Sequence, residues 1–246
     1  MKRALDITVA VLGLLILSPL LVVVLVVIWL QDCSSPFFMA LRMAKGGGTF
    51  RMVKLRSMAV NAHKSGVYST AEDDKRITVV GRFIRRCKLD EVPQLWNVVR
   101  GDMSLVGPRP QVPVEASLYT AAERHLLDVR PGMTDLASIV FADLGDILKG
   151  CDNPNLLYNQ IVRPWKSRLA LLYLDHISFL NDLRIIFLTG VALLSRQFAL
   201  RLIQHILEAW GASDLVREMA RREKPLMPYP PPGTTEVVAA YPQIIA

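Results

Sequence analysis

The sequence predicts an α+β protein that is predominantly helical and associated with a membrane. Three observations predict this class: an uncharged apolar stretch near the N-terminus, two short extended runs around a glycine-rich turn, and apolar patterns with helical spacing in the second half. The hydrophobic fraction of 52% and the mean hydropathy of +0.31 are high for a freely soluble protein. Part of the apolar surface should therefore face lipid.

The first element is a membrane segment, because residues 7 to 30 contain no charged side chain. This length suffices for a straight helix to cross a hydrocarbon core of about 30 Å. A cleavable signal peptide is disfavoured, since the apolar run is too long and no small-x-small cleavage site follows it.

Ser18 and Pro19 interrupt the middle of this segment. Proline removes a backbone donor and clashes with the carbonyl one turn earlier, so the helix should kink or break there. Basic residues precede the segment and also follow it, and the positive-inside rule draws both ends to the cytoplasm. A helix-break-helix hairpin that enters the membrane and returns satisfies both observations, while an ordinary spanning helix with a proline kink remains an equal alternative.

Residues 37 to 58 are expected to form a small β-hairpin. Two short extended runs flank the sequence Lys45-Gly46-Gly47-Gly48, a flexible turn of the kind that joins antiparallel strands. The glycine run lacks the spacing of a phosphate-binding loop and does not open a helix. It is therefore interpreted as a plain turn.

The next segment combines a basic helix with two acidic residues. Residues 77 to 86 carry apolar and basic side chains at a spacing typical of an amphipathic helix. Pro93 is best placed in the first turn of a further helix, which sets Asp90 and Glu91 at or just before its N-terminus. There the positive end of the helix dipole should keep both carboxylates ionised.

The remainder of the chain divides into a domain and a tail. The Gly- and Pro-rich residues 101 to 113 should form an ordered loop without regular structure. Residues 169 to 210 are apolar with scattered charges, which predicts amphipathic helices that lie either in the membrane interface or in a soluble core. The predicted partition is a membrane hairpin at 1–36, a cytosolic domain with interfacial helices at 37–223 and a flexible Pro-rich tail at 224–246.

Charge narrows the ligand class. A net charge of +7 and a pI near 9.5 require an acidic partner, which is a nucleic acid, an anionic membrane face or a phosphorylated substrate. Arginines are concentrated between residues 82 and 109, and each guanidinium can grip two phosphate oxygens. The adjacent carboxylates Asp90 and Glu91 can hold a divalent cation such as Mg²⁺, or one can attack phosphorus as a nucleophile. On the residues alone, a solvated ion-pair cluster is the more frequent meaning of such a pair.

The stretch from Arg85 to Pro110 reads RRCKLDEVPQLWNVVRGDMSLVGPRP, and further matching segments extend from the N-terminus to about Val140. It resembles the signature of the bacterial sugar transferases, which are monotopic phosphoglycosyl transferases that act on polyprenyl phosphate. The resemblance implies a re-entrant hairpin broken at Ser18-Pro19. It also implies a catalytic domain on the cytoplasmic face of the bacterial inner membrane.

The same resemblance implies a reaction and a set of residues. Asp90 would attack the β-phosphorus of a UDP-sugar, release UMP and hold the phosphosugar until polyprenyl (undecaprenyl) phosphate accepts it, as the first membrane step of exopolysaccharide or glycoconjugate synthesis. Glu91 would bind Mg²⁺. The phosphate- and substrate-binding residues implied by the resemblance are Lys54, Arg56, Arg85, Arg109 and Arg130.

The chain departs from the family pattern at several positions. Ala40 stands where glutamine is usual, and Ala44 and Asp135 stand where glycine is usual. Residues 141 to 144 read Phe-Ala-Asp-Leu where the family often supplies an arginine. One contact with the nucleotide-sugar is therefore missing or supplied elsewhere.

Two other function classes compete with the transferase. A catalytically degenerate, membrane-anchored scaffold of a polysaccharide assembly would keep the apolar segment, but the intact pair of Asp90 and Glu91 argues against decay. A nucleic-acid binder would use the basic residues, yet the sequence lacks interleaved aromatic residues and a recognisable reading motif. The identity of the sugar and the oligomeric state, including a homo-oligomer, stay open at this point.

Overall fold

The computed structural model describes residues 1–242, without the side chain of His63. Most of these residues are helical, and the strands form two small two-stranded sheets, which confirms the predicted α+β class with a predominance of helix. The strands are β1 (Phe37–Met43), β2 (Thr49–Leu55), β3 (Ser104–Val106) and β4 (Gly132–Thr134). The helices are α1 (Lys2–Leu30), α2 (Val79–Arg86), α3 (Gln94–Arg100), α4 (Pro113–Ser117), α5 (Ala121–Arg124), α6 (Leu136–Val140), α7 (Leu144–Ile147), α8 (Pro154–Leu157), α9 (Arg163–Asp175), α10 (Phe179–Leu194), α11 (Arg196–Ala209) and α12 (Asp214–Arg221).

Helix α1 runs without interruption through the predicted break, with Pro19 inside it. Pro19 cannot donate to the carbonyl of Leu15 one turn earlier, and the hydroxyl of Ser18 donates to that oxygen at 2.8 Å instead. The structure therefore corrects the predicted helix-break-helix arrangement, because one continuous helix replaces the two expected half-helices.

The N-terminal end of α1 is held by polar contacts to the body of the protein. Lys2 donates to the buried carboxylate of Asp182 at 2.6 Å, and Arg3 donates to carbonyls in the last turn of α3. Asp6 accepts a hydrogen bond from the hydroxyl of Ser104 at 2.9 Å. Because a cation complements the negative end of a helix dipole, Arg3 also stabilises the helix that follows the acidic pair.

The C-terminal end of α1 contacts the same body. Ile28 is fully buried and packs in one cluster with Leu55 and Ile84. Arg56 forms an ion pair with Asp32, just beyond the helix, and donates to the carbonyl of Ile28 at 3.3 Å. Since both ends of a helix about 43 Å long contact one body, α1 lies along that body and does not lead away from it.

One face in the middle of α1 is apolar and exposed, while Leu14 and Leu21 on the other face pack against the body. Leu15 and Ile16 are 64% and 73% exposed. By length and composition, α1 is the one helix of the described chain that could cross a membrane. This exposed apolar surface supports association with lipid.

The β-hairpin is confirmed. β1 and β2 pair antiparallel, with Phe37 opposite Leu55 and Met43 opposite Thr49. Gly46 in the connecting turn adopts a φ of 77°, a conformation that glycine enters without strain. The sheet thereby fixes the backbone of β2, which carries Lys54 near the end of the hairpin.

A second pairing, between β3 and β4, differs from the sequence prediction. The two strands are parallel, with Ser104 opposite Gly132 and Val106 opposite Thr134. The sequence predicts an irregular loop at 101–113 and a turn at Gly132, because strands of three residues are too short to show a periodicity. This pairing sets the position of the loop that follows β3.

We expect Gly132→Ala to destabilise the fold. A Cβ on Gly132 would lie 2.1 Å from the backbone nitrogen of Gly107, so β3 and β4 would have to separate. The expected loss in the free energy of unfolding is about 1–3 kcal/mol, measured by thermal unfolding in detergent. Gly190→Ala in α10 is the matched control, because a Cβ there meets nothing within 4 Å and alanine favours a helix. Equal stability of the two variants would contradict this packing.

Helices α6, α9, α10 and α11 contribute to the main hydrophobic core. Leu136, Ile185 and Ile203 are fully buried in it. The sequence leaves open whether the helices between residues 169 and 210 face a core or a membrane interface. Their inner faces belong to the core, while their outer faces expose large apolar side chains such as Phe187.

The predicted flexible tail, residues 224–246, lies against the domain over part of its length. Tyr229 stacks on Trp165 with ring centroids 4.4 Å apart, and Arg168 donates to a proline carbonyl of the tail at 2.8 Å. The described part of the tail contains no helix or strand, as its composition predicts, and these contacts join it to α9. Residues 243–246 lie outside the described residues.

Candidate active site

Asp90 and Glu91 lie on a short 3₁₀ turn between α2 and α3. The turn spans Leu89–Glu91 and follows Lys88, whose φ of 57° reverses the direction of the chain. Pro93 stands directly before the first residue of α3, one position earlier than the sequence predicts. The acidic pair therefore precedes the N-terminus of α3, as expected.

Glu91 is held by two cations. Arg109 donates to both of its carboxylate oxygens, from Nη1 at 3.2 Å and from Nη2, and the Nζ of Lys54 lies 3.6 Å from Oε1. Burial alone would raise the pKa of Glu91, but the charges of Arg109 and Lys54 outweigh burial and hold this pKa well below its usual range. Glu91 is consequently an anion at every working pH.

Asp90 has a different environment. It is only 8% exposed, and no residue of the described chain donates a hydrogen bond to its carboxylate. Burial raises the pKa of Asp90 above its usual value, although the charges of Lys54 and Arg85 oppose the rise. At Asp90, desolvation therefore opposes the ionisation that the helix dipole is expected to favour.

Two half-buried basic residues, Lys54 and Arg42, lie near the acidic pair and Arg109. Burial lowers the pKa of Lys54 to about 8, while the charge of Glu91 opposes this shift. Arg42 on β1 is close enough to Arg109 for their charges to interact, and burial lowers the pKa of Arg42 to about 10. The sequence identifies Arg42 only as one of the basic residues after the membrane segment, because a strand residue between apolar neighbours does not reveal which way it faces.

The other predicted phosphate-binding residues are placed differently. Arg85 is half-buried, and its charge lowers the pKa of Asp90, so it belongs to the site. Arg56 is engaged in the ion pair with Asp32 at the end of α1. Arg130 is exposed, and its guanidinium makes no hydrogen bond or ion pair with any described residue.

A cavity adjoins Arg109. It encloses about 20 Å³ and is partly open to solvent, so it is a small recess with room for a single oxygen-sized group. The residues of its wall include Arg109, Tyr119, Asp135, Ser138, Tyr158 and Lys166. Nothing in the sequence singles out Lys166, because it lies in α9 outside the motif that carries the acidic pair.

The donor set suits a divalent cation that arrives with a diphosphate. Mg²⁺ in such sites takes one or two carboxylates and completes its coordination with phosphate oxygens and water. Asp90 and Glu91 supply two carboxylates on one turn, and each oxygen of Glu91 has a second lone pair beside its bond from Arg109. Among residues 1–242, no group of three His, Cys, Asp or Glu side chains could hold a metal without such a ligand.

Comparison with known sequences covers the whole of this site. The sequence model of the family described as bacterial sugar transferase matches residues 1–196. The match extends from α1 to the start of α11 and includes the hairpin, the acidic turn and the cavity wall.

Three curated relatives resemble the chain over more than half of its length. The exopolysaccharide production protein ExoY of Sinorhizobium fredii is 40% identical over 56% of this chain and 68% of its own length. The UDP-glucose:undecaprenyl-phosphate glucose-1-phosphate transferase of Caulobacter vibrioides is 39% identical over 56% of this chain and 53% of its own length. The galactosyl transferase CpsE of Streptococcus agalactiae is 36% identical over 76% of this chain and 41% of its own length. In most such comparisons the matched part of this chain spans less than two thirds of the relative.

Proposed function

Because the chain belongs to the bacterial sugar transferase family, we propose that it transfers a sugar-1-phosphate from a UDP-sugar to polyprenyl (undecaprenyl) phosphate. The observation that carries this proposal is the contrast between two neighbouring carboxylates. Glu91 is held as an anion by Arg109 and Lys54, whereas Asp90 is buried and has a raised pKa. Adjacent carboxylates whose pKa values are pushed apart have divided chemical roles. The names of relatives that act on undecaprenyl phosphate support the same reaction.

Asp90 is the nucleophile of the proposed mechanism. Its carboxylate oxygen forms a bond to the β-phosphorus of the donor, while the bond from that phosphorus to the bridging oxygen breaks and UMP leaves with the electron pair. The enzyme then carries an aspartyl phosphosugar. Arg109 and Lys54 oppose the negative charge on the diphosphate and on the departing phosphate, which is the main requirement of phosphoryl transfer.

The lipid phosphate completes the exchange. An oxygen of polyprenyl phosphate attacks the same phosphorus, and the bond between phosphorus and Asp90 breaks to restore the free carboxylate. The product is a polyprenyl diphosphosugar. Since UMP leaves before the acceptor reacts, the two substrates use one centre in turn, which is a ping-pong scheme.

Glu91 is the residue that would hold Mg²⁺, together with the phosphates of the donor. When bound there, the cation neutralises the diphosphate and the leaving group. A carboxylate must be ionised to bind a metal, and Arg109 and Lys54 keep Glu91 ionised through their charges.

The proposed location is the cytoplasmic face of the bacterial inner membrane. A lipid-tethered acceptor cannot leave the bilayer and a charged donor cannot enter it, so the reaction requires a site at the interface. A monotopic placement of α1 is supported by its contacts, because both ends meet one body while one apolar face of the helix is exposed. In this arrangement residues 1–36 anchor the protein, residues 37–223 form the catalytic domain, and basic residues attract anionic headgroups.

Release of UMP tests the proposal. The full chain in detergent is supplied with a panel of UDP-sugars, with and without polyprenyl phosphate and Mg²⁺. We expect UMP release with at least one donor, sustained over many turnovers only when polyprenyl phosphate is present. Folded protein that releases no UMP with any donor would favour the scaffold of a polysaccharide assembly instead.

We expect Lys54→Met to move the acid limit of UMP release to higher pH. Asp90 must be ionised to attack, so activity falls as the pH drops through its raised pKa. The charge of Lys54 lowers that pKa, and its removal leaves the effect of burial less opposed. Profiles of kcat/KM against pH measure the shift, with the exposed Lys64→Met as the control. An acid limb that stays in place in Lys54→Met would show that it does not belong to Asp90.

A further inference from the structure

Lys166 is a cation without a counter-ion in the wall of the cavity beside Arg109. It lies in the first turn of α9, with its ammonium nitrogen 5.4 Å from the ring centroid of Tyr158 and 5.9 Å from that of Phe141. Within the described chain, this nitrogen makes no hydrogen bond and has no carboxylate oxygen within 4.0 Å.

The other charged groups of the same wall are already engaged. Arg109 and Arg163 each form an ion pair with a glutamate. Asp135 caps α6 by accepting a hydrogen bond from a backbone N–H at 2.6 Å. Lys166 is thus the cation of this wall that has no ion-pair partner within 4.0 Å, although the charges of Asp135 and Glu91 act on it from farther away.

Burial makes that charge unfavourable. It lowers the pKa of Lys166 to about 8, the nearby charge of Arg109 acts in the same direction, and the charges of Asp135 and Glu91 oppose the shift only in part. Contacts with aromatic rings compensate a cation only in part. An anionic oxygen in the cavity would give the ammonium group of Lys166 an ion-pair partner.

A second unsatisfied group faces the same space. The hydroxyl oxygen of Ser138 is buried, and no described residue forms a hydrogen bond with it. Ser138 lines the cavity together with Lys166 and Arg109, and Arg109 also binds Glu91. Arg109 therefore borders both the cavity and the acidic pair, and a ligand bound at Arg109 lies next to the wall that holds Ser138 and Lys166.

We propose that Lys166 is a substrate-binding residue that contacts an anionic oxygen of the nucleotide-sugar donor. This oxygen belongs to the donor diphosphate or to a carboxylate on the transferred sugar, and an ammonium group recognises both in the same way. The inference rests on the proposed function, because the donor is taken from it.

Equilibrium binding to the full chain in detergent tests this role. The ligands are UDP, UDP-glucose and UDP-glucuronic acid, of which the last two differ by a carboxylate on the sugar. Lys166→Met should raise the dissociation constant by about tenfold to a hundredfold, the usual effect of losing a hydrogen bond to a charged group. Lys166→Arg keeps the charge and should recover most of the loss, and the exposed Lys149→Met, outside the cavity, should change none of the three constants.

The pattern of losses identifies the source of the anionic oxygen. Weaker binding of all three ligands assigns the contact to the diphosphate, and weaker binding of UDP-glucuronic acid alone assigns it to the sugar. Unchanged constants for all three in Lys166→Met, with an unchanged melting temperature as proof of folding, would overturn the inference. So would a parent chain that binds none of them.

The outcome is separable from that of the proposed function. Binding that depends on Lys166 without any UMP release would leave the inference in place and reject the transferase. UMP release by the parent chain, with donor binding that Lys166→Met leaves unchanged, would support the transferase and reject the inference.

Discussion

Asp90→Asn is expected to lower the rate of UMP release on the order of 10⁴-fold or more, because a neutral amide cannot form the bond to phosphorus. Asparagine nearly matches aspartate in size, and Asp90 accepts no hydrogen bond from the described residues, so the substitution removes no contact that supports the fold. The free energy of unfolding should not fall, since the burial of a charged group is unfavourable. Activity and thermal unfolding of the same preparation measure both effects.

Covalent labelling distinguishes a nucleophile from a residue that only attracts charge. With a UDP-sugar radiolabelled in its β-phosphate and no acceptor, the parent chain should keep the label after denaturation, and Asp90→Asn should keep none. Glu91→Gln should label slowly, because it loses the proposed metal ligand but keeps the attacking carboxylate. Asp128→Asn replaces an aspartate whose side chain is 69% exposed and should behave as the parent. Turnover of Asp90→Asn within a few-fold of the parent would reject the mechanism.

Arg163→Met is expected to cause the largest loss of stability. Glu123 is fully buried, and Arg163 donates to its two carboxylate oxygens at 3.0 Å and 2.5 Å. Methionine is of comparable length but leaves the buried carboxylate without its counter-charge, which should lower the free energy of unfolding by about 3–5 kcal/mol. Denaturant unfolding in detergent measures the loss.

Two further variants test the cause of that loss. Arg124→Met, at the exposed neighbour of Glu123, should change the free energy of unfolding by less than about 0.5 kcal/mol. Adding Glu123→Gln to Arg163→Met should restore part of the stability, because the amide carries no charge to leave unpaired. A double variant no more stable than Arg163→Met alone would mean that the unpaired charge is not responsible.

The elements that could be predicted from the sequence are those formed by residues close to one another along the chain. The hairpin formed as expected, since extended runs and a glycine turn lie side by side in the chain. The parallel pairing of β3 with β4 was not predicted, because each strand has only three residues and the two are far apart in the sequence. The continuity of α1 was not predicted either, because a proline within the chain does not show whether a nearby group, here the hydroxyl of Ser18, will bond the carbonyl that Pro19 leaves free.

By itself, the sequence determined the apolar first helix, the hairpin and the acidic pair ahead of Pro93, because each rests on residue types within a few positions of one another. Only the tertiary structure decided that Glu91 forms ion pairs with Arg109 and Lys54, whereas Asp90 accepts no hydrogen bond from the described residues. Arg109, which makes this distinction, is separated from Glu91 by 18 positions in the chain. The isolation of Lys166 likewise arises from burial among segments that are distant in sequence. Desolvation and ion pairing act through space, and a local pattern of residues does not record them.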